Sequence, residues 1–274
     1  MKPIHLYYNY LKHCTLFLSL IFILSSCEKF EYSPYEIRLP DYMQDLNAKN
    51  IFRIKEAAIS PSDTLIFAIT SDTQGFYAHN DDLVEHINKH QDADFVLHNG
   101  DITDFGLLKE HKWIYDDFSK LEAPYVMVIG NHDATGNGKD LYKAMYGDYN
   151  FTFVVADRKF IFLNTNHWEF DGKAPDLGWL ERELQDAEQY QNVFVVSHIP
   201  PNDAAFGKNK IQPYKDLLRE YGVSLSIHGH GHGYAYTRDN DEDVYELQVA
   251  STDKREYILM KVFGSNIDFK RVNF

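Results

Sequence analysis

The segment Ile227–Gly233 reads IHGHGHG and places a histidine at every second position. Successive side chains of an extended strand point to opposite faces, so His228, His230 and His232 share one face. The glycines between them leave room for another backbone to approach closely. Imidazoles gathered in this way are typical of metal ligation, although a surface turn can have the same composition.

Four other segments carry polar side chains where a predicted strand ends. These clusters of Asp, Asn, Gln and His beside a Gly or Pro turn are Ser71–Gly75, Asn99–Asp104, Gly130–Asp133 and Ser197–Pro201. Each cluster alone is also typical of a turn. Together they predict that carboxylate, amide and imidazole groups meet at one place, where the carboxylates would repel one another unless a cation lay between them. Mixed oxygen and nitrogen donors without a thiolate favour Mn, Fe, Zn or Ni over calcium.

The elements that must position these clusters alternate between strands and helices. Strands are predicted at 65–71, 94–100, 125–130, 192–198 and 223–229, helices at 80–90, 107–121, 139–146, 177–188 and 212–221, a hairpin at 151–165, and further strands over 234–274. We expect Asn80 or Asp81 to cap the first of these helices. The alternation predicts an α/β fold in which helices cover a sheet, with added antiparallel strands. Ligands of such folds bind beyond the carboxyl ends of the strands, where the polar clusters lie.

Taken in order, the five motifs resemble those of the calcineurin-like metallophosphoesterase superfamily. They are Asp72-Thr73-Gln74, Gly100-Asp101-Ile102-Thr103-Asp104, Gly130-Asn131-His132-Asp133, His198 and Gly229-His230-Gly231-His232. The resemblance spans roughly residues 64–250 and implies a four-layer αββα sandwich, in which two β-sheets are flanked by helices and the site lies at the rim. It also implies a phosphohydrolase with two divalent transition-metal ions (Mn, Fe, Zn or Ni), whose charge neutralises phosphate oxygens and activates hydroxide for attack on phosphorus.

The resemblance implies that seven residues are metal ligands. They are Asp72, Gln74, Asp101, Asn131, His198, His230 and His232. Asp72 and His232 would hold one ion, the Asn and the other two His would hold the second, and Asp101 would bridge them. Gln74 departs from the motif, which usually ends in His. An amide oxygen is a weaker donor than imidazole to such metals, so we expect the ion beside Gln74 to be the more labile one.

Two catalytic residues are implied as well. His132 would lie near the leaving-group oxygen, as a general acid or as a donor to the phosphoryl group, and Asp133 would orient it. His98 and His228 lie within predicted strands and not at their ends. We therefore expect these two histidines to be buried and hydrogen-bonded, and not to be ligands.

The motifs indicate a dinuclear-metal-dependent phosphohydrolase whose partner is a phosphorylated small molecule, with diesters slightly preferred to monoesters. His167 and Trp168, in the loop 164–172, are candidates for substrate binding, with ordinary packing as the alternative. The net charge of −14 argues against binding to nucleic acid or to an anionic lipid surface. The alternative function is a non-catalytic, lipid-anchored protein that binds metal or a phosphoester on the same fold. Only Gln74 supports this alternative.

Residues 1–27 have the layout of a lipoprotein signal peptide. Lys2 and Lys12 precede the apolar run Thr15–Leu24, and the sequence LSSC, which ends at Cys27, resembles a bacterial lipobox. The apolar run is shorter than the roughly 20 residues that span a bilayer. We therefore expect cleavage before Cys27, lipidation of its thiol, and location at the bacterial cell envelope, with the lipid anchor as the only contact with the membrane.

The rest of the chain carries no cysteine. The two cysteines are Cys14 and Cys27, so the folded part must be stabilised by an apolar core and not by disulfides. Residues 28–63 contain several prolines without a sustained period and predict a tether or N-terminal extension. Residues 64–274 are predicted to form the metallophosphoesterase domain.

Overall fold

The computed structural model describes residues 13, 33, 36–90, 92–238, 240 and 244–274. Eleven strands lie in these described residues: β1 (Leu65–Thr70), β2 (Phe95–His98), β3 (Tyr125–Met127), β4 (Phe151–Val155), β5 (Arg158–Leu163), β6 (Asn192–Ser197), β7 (Leu225–His228), β8 (Ala235–Thr237), β9 (Glu246–Gln248), β10 (Glu256–Phe263) and β11 (Asn266–Asn273). They form two sheets, with the spatial orders β11-β10-β1-β2-β3 and β4-β5-β6-β7-β9-β8. Cys27, the proposed lipidation site, lies outside the described residues.

Six helices flank the two sheets in the unit formed by residues 37–274. They are α1 (Leu46–Glu56), α2 (Tyr77–His90), α3 (Leu108–Phe118), α4 (Gly138–Tyr146), α5 (Leu177–Leu184) and α6 (Lys208–Glu220). Apolar side chains of α2, α3 and α4 pack on the outer face of the first sheet, and those of α5 and α6 pack on the outer face of the second. The predicted αββα sandwich is therefore confirmed.

The innermost layer of the core lies between the two sheets and is rich in phenylalanine. Phe67 and Phe95 of the first sheet stack with ring centroids 5.0 Å apart, and Phe160 and Phe194 of the second sheet stack at 4.9 Å. The pairs meet edge to face, with 5.4 Å between the centroids of Phe67 and Phe160. Such contacts add to the hydrophobic stabilisation and fix the distance between the sheets.

The central strands run parallel, which is what brings the polar clusters together. β1, β2 and β3 are parallel neighbours in the first sheet, and β5, β6 and β7 are parallel neighbours in the second. Because the carboxyl ends of parallel strands meet at one edge of a sheet, the loops that follow them lie side by side. The predicted hairpin is also present as β4 and β5, and its turn residues Ala156 and Asp157 both have positive φ.

The segment predicted as a tether differs from the structure in its second half. The sequence placed the start of the folded domain at residue 64, whereas the compact unit begins at residue 37 and contains α1. Ile54 of α1 is fully buried against the core between the sheets. The segment's prolines lie outside α1, so they do not prevent the helix.

Helix α1 also closes an edge of the first sheet. The Asn47 side chain donates to the Met127 carbonyl at 2.9 Å and accepts from the Met127 N–H at 2.9 Å. Met127 lies on β3, the last strand of its sheet, where backbone groups would otherwise lack a partner strand. The amide of Asn47 therefore replaces the hydrogen bonds that a neighbouring strand would have made.

Two helices begin three or four residues earlier than the sequence predicted. Helix α2 starts at Tyr77, and Asn80, one of the two predicted caps, is buried within it. The Asp104 carboxylate, from a distant loop, accepts from the Gly75 N–H at 3.0 Å and from the Tyr77 hydroxyl at 2.7 Å. This long-range contact fixes the entry to the helix in place of a local cap. Helix α6 likewise begins at Lys208, four residues before the predicted start.

Replacing Asn47 with Ala is expected to lower the free energy of unfolding by about 1–3 kcal/mol, because it leaves the buried Met127 N–H without its acceptor. Urea unfolding followed by circular dichroism measures the change. Lys55→Ala, on an exposed position of the same helix, is the control and should change stability by less than about 0.5 kcal/mol. Equal effects of the two substitutions would show that the contact with β3 contributes nothing specific.

Candidate metal centre

The loops that carry the predicted ligands turn sharply and are joined to one another by hydrogen bonds. Asp72, Asp101, His230 and His232 have φ values of 53°, 54°, 65° and 55°, in the left-handed region that non-glycine residues seldom adopt. The Asp72 N–H donates to the Gly100 carbonyl at 3.0 Å, so the loops after β1 and β2 are joined directly. These conformations turn the four side chains toward a common centre.

Two glycines allow the loops to approach closely. A Cβ atom on Gly130 would lie 2.0 Å from the Asp101 backbone nitrogen, and one on Gly229 would lie 2.0 Å from the Ser71 hydroxyl oxygen. No side chain fits at either distance. The motif glycines are therefore required by contacts between loops from different strands.

One group of donors is formed by Asp101, Asn131, His198 and His230. His198 Nε2 lies 3.1 Å from Asp101 Oδ2 and 3.1 Å from Asn131 Oδ1, and His230 Nδ1 lies 3.0 Å from Asn131 Oδ1. Two donors bound at right angles to one ion at about 2.1 Å lie about 3 Å apart. The spacing of this group therefore fits a transition-metal ion.

The second group is formed by Asp72, Gln74, Asp101 and His232. His232 Nε2 lies 3.5 Å from Asp72 Oδ1 and 3.3 Å from Gln74 Nε2, which is 3.2 Å from Asp101 Oδ2. Asp72 Oδ1 and Gln74 Oε1 are both buried and have no hydrogen-bond partner among the described residues. A cation would supply the missing partner for both oxygens, although the Gln74 amide must turn over to present its oxygen.

The Asp101 carboxylate belongs to both groups. The ligand atoms of Asp101, His198 and His230 lie within 4.8 Å of one another, and so do those of Asp72, Asp101 and His232. The seven residues predicted as ligands are thus brought together, and Asp101 occupies the shared position. This donor set fits two ions that share one carboxylate.

Buried carboxylates lie close together at this place, and burial disfavours their negative charge. Burial, together with the nearby Asp101, raises the pKa of Asp72 to about 7, although His198 opposes the rise. Burial alone would lower the pKa of His198, but the adjacent Asp101 and Asp72 carboxylates outweigh it and raise that pKa to about 9. The protein thus holds its carboxylates where a positive charge, from a proton or a metal ion, is strongly favoured.

His132 lies beside the two donor groups but belongs to neither of them. Its backbone N–H donates to Asp101 Oδ1 at 2.9 Å, and its ring Nδ1 lies 2.9 Å from the Asp104 carbonyl oxygen. Because a carbonyl oxygen only accepts, Nδ1 carries the hydrogen in this pair. The imidazole is therefore oriented by a backbone carbonyl, which leaves Nε2 available for other contacts.

Asp133 does not orient His132, contrary to the prediction. Its carboxylate accepts from the backbone N–H groups of Ile102, Thr103 and Gly130 and from the Thr103 hydroxyl, over 2.8–3.1 Å. It therefore fastens the loop that contains Asp101 to the Gly130 turn. The sequence missed the backbone carbonyl of Asp104 as the partner of His132, because a carbonyl leaves no signal in a motif.

The two histidines expected to be buried are hydrogen-bonded in the structure. His98 Nε2 lies 3.0 Å from the Thr73 hydroxyl, and the two ring nitrogens of His228 lie 2.8 Å and 2.7 Å from the hydroxyls of Ser197 and Ser226. Burial lowers the pKa of both histidines to about 3, so both rings are neutral. They support the strand ends and are in neither donor group.

The two candidate substrate residues have different surroundings. His167 Nδ1 lies 2.8 Å from the Ala174 carbonyl oxygen, and its ring lies so close to Gly207 that a Cβ atom there would approach to 2.7 Å. His167 therefore joins two loops, which agrees with the packing alternative. Trp168 is 63% exposed.

Two further residues at the site were missed by the sequence. The Asn99 carbonyl oxygen lies 2.7 Å from His198 Nδ1, and the carboxylate Oδ2 of Asp203 lies 3.7 Å from His230 Nε2. Asp203 follows His198 by only five residues, so its proximity to that motif was the available signal. Asn99 acts through its backbone and offered none.

Comparison with known proteins finds relatives at the level of sequence and of fold. Over 88 residues the chain is 34% identical to the protein named serine/threonine-protein phosphatase CPPED1 of Pongo abelii, and the match covers 28% of each chain. The protein of the same name from Homo sapiens gives the same identity and coverage. The chain thus matches 28% of the length of these curated relatives.

Two solved structures share the fold at low sequence identity. One is GAP50, described as the anchor in the inner membrane complex of Plasmodium, with a TM-score of 0.59, 16% identity, and coverage of 77% of this chain and 84% of that chain. The other is purple acid phosphatase PPD1 from yellow lupin (Lupinus luteus) seeds, with a TM-score of 0.54, 13% identity, and coverage of 78% of this chain and 52% of that chain.

The family model described as calcineurin-like phosphoesterase matches residues 65–234, which is more than half of the chain and includes all the predicted ligands. Members of this family generally depend on two metal ions, in agreement with the two donor groups that share Asp101. This match shows that the chain belongs to the calcineurin-like phosphoesterase family.

Proposed function

We propose that this protein is a metal-dependent phosphohydrolase that acts on phosphorylated small molecules, with phosphodiesters as the preferred substrates. The observation that carries the proposal is the pair of donor groups that share the Asp101 carboxylate at the rim of the sandwich. Family membership supports the reaction class. When bound, two divalent ions would neutralise the phosphate oxygens and lower the pKa of a water molecule toward neutrality.

The chain's own residues divide the remaining tasks. Asp72 and Asp101 are buried, and their negative charge would be stabilised by the bound cations. His198 directs Nε2 toward the Asp101 carboxylate, because its Nδ1 is held by the Asn99 carbonyl. His132 is held with Nδ1 toward the Asp104 carbonyl, so Nε2 of the imidazolium form is the atom that would give a proton to the departing oxygen and be left as a lone pair.

The substrate class is the finer part of the proposal. Trp168 lies two residues beyond Asn166, whose side chain donates to the Ile129 carbonyl at 3.0 Å, next to the Gly130 turn. This contact holds the loop 164–172 beside the Gly130 turn, and we propose that the exposed indole of Trp168 is a surface for the organic part of a substrate. The curated relatives are named phosphatases, so phosphomonoesters belong in the same test.

We also propose that the protein acts at the bacterial cell envelope, attached through lipidated Cys27. The support is the order of charged, apolar and small residues that precedes Cys27. No helix of the described residues has the length and apolarity to cross a membrane. The anchor is therefore proposed from the sequence of residues 1–27.

The competing proposal is a lipid-anchored protein that binds metal or a phosphoester without turnover. Gln74 favours it, because an amide oxygen is a weaker metal donor than the imidazole that usually ends this motif. The placement of His132 favours the enzyme, because a protein that only binds metal needs no oriented proton donor. Turnover separates the two functions.

The function is tested by incubating metal-free protein with Mn²⁺ and a panel of p-nitrophenyl phosphodiesters and monoesters. We expect turnover that requires the metal, is abolished by a chelator, and is faster for diesters. Asp101→Asn should abolish turnover and metal binding, because the shared charge is removed. Asp268→Asn, an exposed carboxylate on β11, is the matched control. Metal binding without turnover on any substrate would support the binding protein instead.

Replacing His132 with Ala is expected to lower kcat by about 10²- to 10⁴-fold on substrates with an alkyl leaving group, and much less on p-nitrophenyl esters. A poor leaving group needs the proton more than p-nitrophenolate does. Metal content, measured by elemental analysis, should not change, because the backbone N–H of residue 132 still donates to Asp101. His90→Ala, at an exposed position of α2, is the control. A loss that is independent of the leaving group would rule out the proton-donor role.

Replacing Cys27 with Ser is expected to move the protein from the membrane fraction to the soluble fraction of a cell lysate, since the acylated thiol is lost. Immunoblots of the two fractions measure the distribution. Cys14→Ser changes the other cysteine of the same segment and should leave the distribution unchanged. Retention of the Cys27 variant in the membrane fraction would contradict the lipid anchor.

A further inference from the structure

The loop after β6 brings a carboxylate against the outer side of a candidate ligand. His230 has Nδ1 at 3.0 Å from Asn131 Oδ1, within the first donor group, and Nε2 at 3.7 Å from Asp203 Oδ2. The two nitrogens lie on opposite sides of the imidazole ring. The ring of His230 therefore stands between the donor group and the Asp203 carboxylate.

Asp203 also has a local structural role, which uses only one of its oxygens. Its Oδ1 accepts from the Ala205 N–H at 2.7 Å and caps the short 3₁₀ turn Ala204–Phe206. Oδ2 is not needed for this cap, yet it is the oxygen that faces His230. The cap thus fixes the carboxylate in an orientation that aims its second oxygen at the imidazole.

The loop that carries Asp203 is firmly held. Phe206 is fully buried and packs edge to face on Tyr214 of α6, with ring centroids 5.0 Å apart. The Asp203 N–H donates to the Pro200 carbonyl at 3.1 Å, and Gly207 lies against the His167 ring. The position of the carboxylate is therefore set by the packing of the loop.

We propose that Asp203 is a positioning residue for the metal centre: its carboxylate, 3.7 Å from His230 Nε2, favours the tautomer with hydrogen on Nε2 and so leaves the Nδ1 lone pair for the cation. His198, the other imidazole of this group, also has an oxygen beside the nitrogen that points away from the centre: its Nδ1 lies 2.7 Å from the Asn99 carbonyl oxygen. An oxygen beside the ring nitrogen that does not bind the metal fixes the tautomer of a ligating imidazole and raises its basicity. Asp203 adds a full negative charge, which a carbonyl does not.

This inference rests on the proposed metal centre, but its test does not depend on turnover. Mn²⁺ is titrated into the metal-free full-length protein by isothermal titration calorimetry. In Asp203→Asn, Oδ1 is kept for the Ala205 cap and the charge beside His230 is removed. We expect about 10- to 100-fold weaker binding at one of two sites, the usual effect of removing such a partner, with the other site unchanged.

Asp176→Asn is the matched control, because Asp176 caps α5 by accepting from the Trp179 N–H at 2.9 Å and belongs to neither donor group. It should bind both ions as the wild type does. Wild-type affinity of the Asp203→Asn protein at both sites, or equal weakening by the two variants, would overturn the inference. If the wild type binds two ions and hydrolyses nothing, the proposed activity fails while the role of Asp203 is still decided by the titration.

Discussion

Negative charge buried at one edge of the sandwich is the constraint on which the site depends. Asp72, Asp101 and Asp133 are all buried, with at most 1% of each exposed. Asp133 is fully satisfied by protein groups, since it accepts four hydrogen bonds from two loops. Asp72 keeps one oxygen for which the described residues offer no donor. This difference separates a carboxylate that holds the fold together from one that is placed for a cation.

The scaffold maintains this arrangement largely through contacts between different loops. Asp133 links the loop that contains Asp101 to the Gly130 turn, and Asp104 links that Asp101 loop to the start of α2. The Asn99 carbonyl fixes the orientation of His198. Left-handed backbone at four of the ligand residues disfavours the loop conformations by about 1–3 kcal/mol each. Such conformations persist because the neighbouring loops and the close glycine contacts leave no alternative.

Local signals in the sequence predicted an α/β fold and the convergence of the polar clusters, whereas the resemblance of the motifs implied the αββα sandwich. Buried strands rich in Val, Ile and Phe alternate with amphipathic helices, and the polar clusters stand where those strands end. What the sequence missed depended on contacts between distant residues. Helix α1 packs where a tether was predicted because Ile54 and Asn47 meet the core and β3, and nothing local in residues 46–56 shows such a contact. Asp133 was assigned to its sequence neighbour His132, whereas three of its four hydrogen bonds come from the loop that contains Asp101.

The most direct test is a crystal structure of the protein grown with Mn²⁺, with anomalous diffraction recorded at the manganese absorption edge. We expect two anomalous peaks on either side of the Asp101 carboxylate, one beside Asp72 and His232 and the other beside Asn131, His198 and His230. A single peak away from Asp101, or none at saturating Mn²⁺, would contradict the dinuclear centre.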